Sequence, residues 1–260
     1  GAGDDFMQGG AGDDTILGGM PLGDDGGRDM ISFFDASGGI NFTLDPTGNG
    51  TANFTALGLG VDSYFGIEGV NGTDFGDVIA GNSGNNRIFG NNGNDDIRTG
   101  AGNDELIGGD GDDYLQAGTG SDIITGGNGN DQMSFYDLAA GVTFTLSASG
   151  DGSVTIGADT DTYTSIENIA GSDAGAFVDF SGVTGADTLV GNSVANAIDG
   201  YWGNDLLFGM AGGDTMHGGF GNDILIGGLD ADKLYGDDGD DSLTGNDASN
   251  LFAQDADILD

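Results

Sequence analysis

The chain has 260 residues, 56 of them glycine, and sets 44 acidic side chains against four basic ones, Arg28, Arg87, Arg98 and Lys233, for a formal charge of −40. Self-repulsion on that scale opposes compaction and makes nucleic acid and anionic membranes poor partners, which leaves cations. There is no cysteine, so disulfides and thiolate metal sites are excluded; no apolar run approaches the ~18 residues of a membrane span, and no basic n-region marks a signal peptide.

Glycine and acid with few aromatics are the composition of disorder. Yet 37% of the residues are apolar, and they recur at a fixed period. In chain order, a short repeat run fills 1–32, with AGDDFMQ, GGAGDDTIL and a stretched unit closing on Asp29. An insert follows at 33–71. From Gly72 to Ser134 the chain divides into seven nonapeptides without a gap, among them GNNGNDDIR and GGDGDDYLQ. A second insert covers 135–181. Eight further nonapeptides, such as GGFGNDILI, run from Gly182 to Ala253 within a last segment, 182–260. The chain opens inside a repeat without Met, so it is expected to be part of a longer protein.

Two columns organise the repeat. The eighth position is apolar in all eighteen units, as at Ile79, Ile88, Ile97, Leu106, Leu115 and Ile124. The sixth is Asp in fifteen: Asp5, Asp14, Asp29, Asp77, Asp95, Asp104, Asp113, Asp122, Asp131, Asp187, Asp205, Asp214, Asp223, Asp232 and Asp241. Asn86, Asn196 and Asn250 are the exceptions. The pattern G-G-x-G-x-D-x-U-x closely resembles the RTX (hemolysin-type) calcium-binding nonapeptide repeat, and two unbroken frames make the match specific.

The last three residues of each unit alternate out, in, out, which predicts a very short strand, while the glycines permit the chain reversal. Two units make one coil of eighteen residues, and coils stack as parallel sheets. One large inward side chain per unit is a thin core against the backbone entropy of nine residues. A hard cation supplies the missing term. Ca²⁺ takes six to eight oxygens, and each turn offers carbonyls and one sixth-position carboxylate. In GGDGDDYLQ, Asp113 is the expected ligand and Asp112 faces solvent. Pairing each turn with the turn two units on gives about a dozen Ca²⁺, whereas Mg²⁺, which prefers a tight octahedron, fits poorly. The Asn units are expected to bind weakly or not at all, and Asp230, in place of the fourth-position Gly, puts the shape of its turn in question.

The resemblance implies an all-β, right-handed parallel β-roll with calcium between successive turns, and export by bacteria through type I secretion with folding outside the cell. The segments are then a short roll (1–32), an insert (33–71), a roll of seven nonapeptides (72–134), a second insert (135–181) and a roll of eight nonapeptides with the C-terminal end (182–260). The inserts are related: DMISFFDASGGINFTL (29–44) matches DQMSFYDLAAGVTFTL (131–146), and DSYFGIEGVNG (62–72) matches DTYTSIENIAG (161–171). Their period-two stretches INFTL, VTFTL and SVTIG predict longer strands that continue the solenoid or pack on it. Glu68 and Glu167 occupy matching places and are expected to make a structural hydrogen bond at a bend.

Catalytic chemistry finds little footing. His217 is the single histidine, at an outward ninth position, and no phosphate loop ending in GK[ST] occurs. Carboxylate pairs abound, but a smooth roll offers no cleft to raise one pKa. Tyr201 and Trp202 are expected in an exposed turn. On one sheet the outward positions Val190, Leu206, Phe208, Ile224 and Ile226 form an apolar stripe suited to self-association or a surface partner. The expected function is therefore non-enzymatic: a calcium-stiffened structural segment of a secreted or cell-surface protein, such as an S-layer, filament or adhesin. The alternative is the C-terminal secretion and folding module of an exported protease, lipase or cytolysin.

Overall fold

The structure is a computed structural model, described for residues 4–18, 27–135, 143–145, 152–156, 159–166, 168–172, 186, 188–191, 193–246 and 258–259. Strands dominate: among the described residues the only helical element is a 3-10 turn at Thr55–Leu57. The chain divides into two compact units, 1–131 and 132–260.

In the first unit, one face of the coils carries Phe6–Met7, Met30–Ser32, Gly69–Asn71, Arg87–Asn92, Glu105–Asp110 and Ile123–Asn128, paired parallel in that order. The other carries Asn41–Thr43, Val78–Ala80, Asp96–Arg98 and Tyr114–Gln116, also parallel. The register steps by two nonapeptides, so Ile79, Ile97 and Leu115 stack on one side and Ile88, Leu106 and Ile124 on the other. All six are fully buried. This is the expected ladder: alternation sends one side chain per unit inward, and its neighbours one coil away bury it. On the first face the last three strands have six residues each, longer than the three that x-U-x predicts. Glu105–Asp110 continues through Gly108 and Gly109, because Gly109 pairs with Gly127 and Asp110 with Asn128. Identical turns stacked in register thus keep pairing past the apolar residue.

The first insert is a long coil. Met30 pairs with Gly69 where a regular coil would return after eighteen residues. The surplus forms an antiparallel hairpin, Gly50–Asn53 with Val61–Phe65, whose second strand pairs parallel with Thr15–Leu17. Phe33, Phe42, Phe54 and Tyr64 fill it, with ring centroids 5.0–6.2 Å apart. Aromatic bulk replaces the one aliphatic per unit of a regular coil. The insert therefore both continues the solenoid and packs on it.

The second unit repeats the plan. Gly152–Ile156 and Asp159–Thr164 form the antiparallel hairpin. One stack runs Thr143–Thr145, Thr188–Val190, Leu206–Ala211, Ile224–Leu229, Ser242–Asn246. The other runs Gln132–Phe135, Asn168–Ser172, Ala197–Asp199, Thr215–Phe220, Lys233–Asp238, Ile258–Leu259. Leu189, Leu207, Met216, Leu225 and Leu234 form its buried ladder. On the outer face Leu206 pairs with Ile224, and Val190 with Phe208 and then Ile226, so the apolar stripe is a register-matched patch. Residues 174–184, which the second insert has in excess of the first, lie outside the described residues, as do Asp187, Glu167 and Asn250.

In most units the second and fourth positions carry positive φ: Gly109 has +126° and Gly111 +138°. Asp230 takes φ 77° at a fourth position, and its carboxylate accepts the Gly212 N–H at 3.2 Å, so the turn keeps its left-handed shape without glycine. Met210 holds a second position at φ 83° with its side chain half exposed. A left-handed conformation is costly for such a residue, and with half of its surface in solvent its packing offsets little of that cost. Met210→Gly is expected to stabilise the calcium-loaded protein by about 1 kcal/mol, read as a rise of about 2–4 °C in melting temperature.

Candidate metal centre

Each turn brings its sixth-position side chain to the same edge of the coil, and the turns stack these side chains in columns. Within a column one carboxylate oxygen is committed to the backbone. Asp113 Oδ1 accepts the Asp95 N–H (2.8 Å), Asp95 Oδ1 that of Asp77 (2.7 Å), and Asp131 Oδ1 that of Asp113 (3.0 Å). On the other side of the coil, Asp122 serves Asp104 and Asp104 serves Asn86. The second unit repeats this with Asp223 on Asp205, Asp241 on Asp223, Asp232 on Asp214 and Asp214 on Asn196. Asp29 Oδ1 takes the Asp5 N–H, and Asp77 Oδ1 takes that of Ile40, so the column runs into the insert.

The other oxygen is the chemically telling one. The Oδ2 atoms of Asp14, Asp95, Asp104, Asp113, Asp214 and Asp223 are buried and have no hydrogen-bond partner. Those of Asp14, Asp95, Asp113, Asp214 and Asp223 face the first glycine of their own unit, while the unit of Asp104 opens with Thr99. A side chain at Gly90 would collide with Asp95 Oδ2 and lie 2.6 Å from the Gly108 carbonyl oxygen; one at Gly72 would collide with Asp77 Oδ2 and lie 2.9 Å from the Gly90 carbonyl. Glycine thus leaves open a space bordered by carboxylate and carbonyl oxygens; no donor reaches Asp95 Oδ2, whereas Asp77 Oδ2 accepts the Thr73 N–H at 2.7 Å. Burial pushes the Asp95 and Asp214 carboxyls up to about 7, and those of Asp104 and Asp113 up to about 6. The next residue in the column, Asp113 for Asp95, adds like-charge repulsion.

An unpartnered anionic oxygen beside carbonyls is the donor set of a hard cation, and that set fits calcium. Among the described residues no three acidic or histidine side chains converge. Any ion here must therefore draw heavily on backbone carbonyls, which accounts for both the glycines and the single acid per turn. The Asn turns differ. Asn86 Oδ1 accepts the Asn82 N–H, while its Nδ2 donates to the Glu68 carbonyl at 3.0 Å, so an amide supplies a donor that an aspartate lacks.

Fifth-position side chains form a second ladder that the sequence reading did not include. Asn94 Oδ1 accepts the Asp112 N–H, and Asp112 Oδ1 accepts that of Asn130. Asp112 is exposed, as expected, but it also joins coils. Two carboxylates outside the repeat runs enter the sixth-position columns as well. Glu68 Oε2 accepts the Asp29 N–H at 3.0 Å, the hydrogen bond expected of it, and its longer side chain stands where an Asp would. Asp62 Oδ1 does the same for Asp14 at 2.9 Å. Counting back nine from Gly72 sets Glu68 at a sixth position, a signal the sequence contained.

Among the singled-out aromatic and basic groups, His217 is partly exposed, stacks on Tyr235 and sits 3.0 Å from Asp237 Oδ2. Trp202, expected to be exposed, is half-buried against Phe220, with ring centroids 4.1 Å apart. No described helix is long and apolar enough to cross a membrane.

Nonapeptide coils, a single-file apolar ladder and an edge of buried carboxylates, several with one oxygen that no donor reaches, define a β-solenoid of cation-binding turns. The family model described as RTX calcium-binding nonapeptide repeat (4 copies) matches residues 1–20, 71–106, 107–135, 181–216 and 217–251, more than half of the chain. The chain belongs to that family. Among curated proteins, none matches it.

Proposed function

We propose that this chain is a calcium-folded structural segment of a secreted or cell-surface protein, of the kind that builds an S-layer, an extracellular filament or an adhesin, and that it does no catalysis. Its organisation is read as an insert followed by a roll, used twice. The observation that carries the reading is the set of buried Oδ2 atoms without donors at Asp14, Asp95, Asp104, Asp113, Asp214 and Asp223. Asp5, Asp14, Asp29, Asp77, Asp95, Asp104, Asp113, Asp122, Asp131, Asp205, Asp214, Asp223, Asp232 and Asp241 would hold the ions, together with the carbonyls of the first glycines, and the repeat pattern extends this role to Asp187. Calcium would supply charge neutralisation and oxygen-to-oxygen bridging between coils; the chain's own residues supply register and the apolar ladder. Rigid stacked sites suit a stiff rod better than an exchanging buffer. The stripe of Val190, Leu206, Phe208, Ile224 and Ile226 is the surface proposed for a second copy or a surface partner.

Calcium titration of the metal-stripped chain tests the reading. Uptake of about a dozen ions with millimolar Mg²⁺ failing to substitute is the expected result. Uptake of one or two, or equal response to Mg²⁺, would contradict it.

A further inference from the structure

Residues 57–65, inside the first insert and outside the family match, read LGLGVDSYF. Glycines stand at the second and fourth places, Asp62 at the sixth and Tyr64, 2% exposed, at the eighth. Its neighbour is the unit 9–17, with Thr15, Ile16 and Leu17 in register with Ser63, Tyr64 and Phe65.

The hydrogen bonds are those of two regular stacked turns. Gly102 N–H donates to the Thr119 carbonyl, and Gly12 N–H to that of Leu59 (3.2 Å). Asn103 N–H donates to Asn85 Oδ1, and Val61 N–H to Asp13 Oδ1 (2.9 Å). Asp104 N–H donates to Asp122 Oδ1, and Asp14 N–H to Asp62 Oδ1 (2.9 Å). Ile123 N–H donates to the Asp104 carbonyl, and Ser63 N–H to that of Asp14 (2.9 Å). Gly81 N–H donates to Arg98, and Gly18 N–H to Phe65 (2.9 Å). The segment is thus a repeat unit in geometry, although Leu57 stands in place of its first glycine.

At this junction two carboxylates face the first glycine, where a regular turn such as that at Gly90 presents one. The position that a Cβ on Gly9 would occupy lies 2.9 Å from Asp62 Oδ2 and 3.2 Å from Asp14 Oδ2. Asp62 is 4% exposed, and Asp14 Oδ2 is buried with no hydrogen-bond partner. Two carboxylate oxygens directed at one point, one of them lacking any donor, repel each other unless a proton or a cation lies between them.

We propose that Asp14 and Asp62 bind a divalent hard cation, calcium, above Gly9, and that this ion pins the hairpin 50–65 of the insert to the first repeat turns. The site rests on the reading that the regular columns bind calcium. It makes docking of the insert conditional on calcium, since without the ion the two carboxylates repel across the junction.

Asp62→Asn keeps the Oδ1 acceptor for the Asp14 N–H and removes the charge. Gly9→Ala instead places a methyl where the ion would sit. In the full chain loaded with calcium, each variant is expected to carry one ion fewer than the parent by native mass spectrometry. Amides of 15–17 and 50–65 should exchange hydrogen about tenfold faster or more, with 87–128 unchanged. If Asp62→Asn does not fold, Gly9→Ala decides. A parent that loads calcium alongside variants that load the same number, with the same protection, overturns this site and leaves the regular columns standing. A parent that takes up no calcium overturns both.

Discussion

In excess EGTA the chain is expected to lose more than half of its far-UV circular dichroism strand signal, and to regain it cooperatively on return of calcium. Only one large side chain per nonapeptide reaches the core: Leu106 touches its own kind along one line, from Ile88 to Ile124. That ladder opposes the ordering of a glycine-rich backbone, which loses more freedom on folding than any other. Along the columns, carboxylates follow one another at the sheet spacing of about 4.8 Å. At that separation and an effective dielectric of about 20, each charged neighbouring pair costs about 3 kcal/mol. A bound dication converts this repulsion into attraction, and because the unfolded chain has no preformed site, its binding free energy appears as folding free energy. Full strand content in EGTA at neutral pH would mean that the ladder and the inserts hold the chain unaided, and the role given to the aspartates would fall.

The repeat made the roll legible. A period of nine with an invariant apolar eighth position fixes which residues face inward, and stacking identical turns fixes the register. The strand through Gly108 and Gly109 is not legible, because a glycine pair signals a turn by its own propensity, while the pairing of Gly109 with Gly127 in the next coil is a tertiary effect. The inserts were harder. INFTL and SVTIG announced strands by alternation, but the antiparallel pairing of Gly50 with Tyr64 depends on where Tyr64 packs, among Phe42 and its neighbours, and alternation carries no such information. Asp62 escaped because its unit begins with Leu57 in place of a glycine. The first-position glycine is the residue that leaves room for the carboxylate, so a search that starts from it passes over a turn that borrows this room from Gly9. Glu68 is legible once the frame is counted backward from Gly72; what the sequence does not show is that the extra methylene still reaches the Asp29 N–H.

Acid should act in opposite directions on the two forms of the protein. In the metal-free chain, burial first and then the neighbouring carboxylates raise Asp95 and Asp214 from 3.8 to about 7, and Asp104 and Asp113 to about 6. A carboxyl whose folded value lies above its unfolded one binds more protons in the folded state. Its contribution to stability is therefore complete below about 4 and is lost as the pH rises through 6 to 7. Metal-free protein at pH 4.5 is accordingly expected to show more strand and a higher urea midpoint than at pH 8. The calcium-loaded protein needs the same oxygens deprotonated, so protons compete with the metal, and loading releases protons. Its midpoint should be highest above pH 7 and fall as the pH drops toward 5. Urea unfolding at a series of pH values, with calcium and with EGTA, gives both curves. If the metal-free curve falls with acid alongside the loaded one, those carboxylates are charged in the folded chain without calcium, and the columns are held by something other than protons or metal.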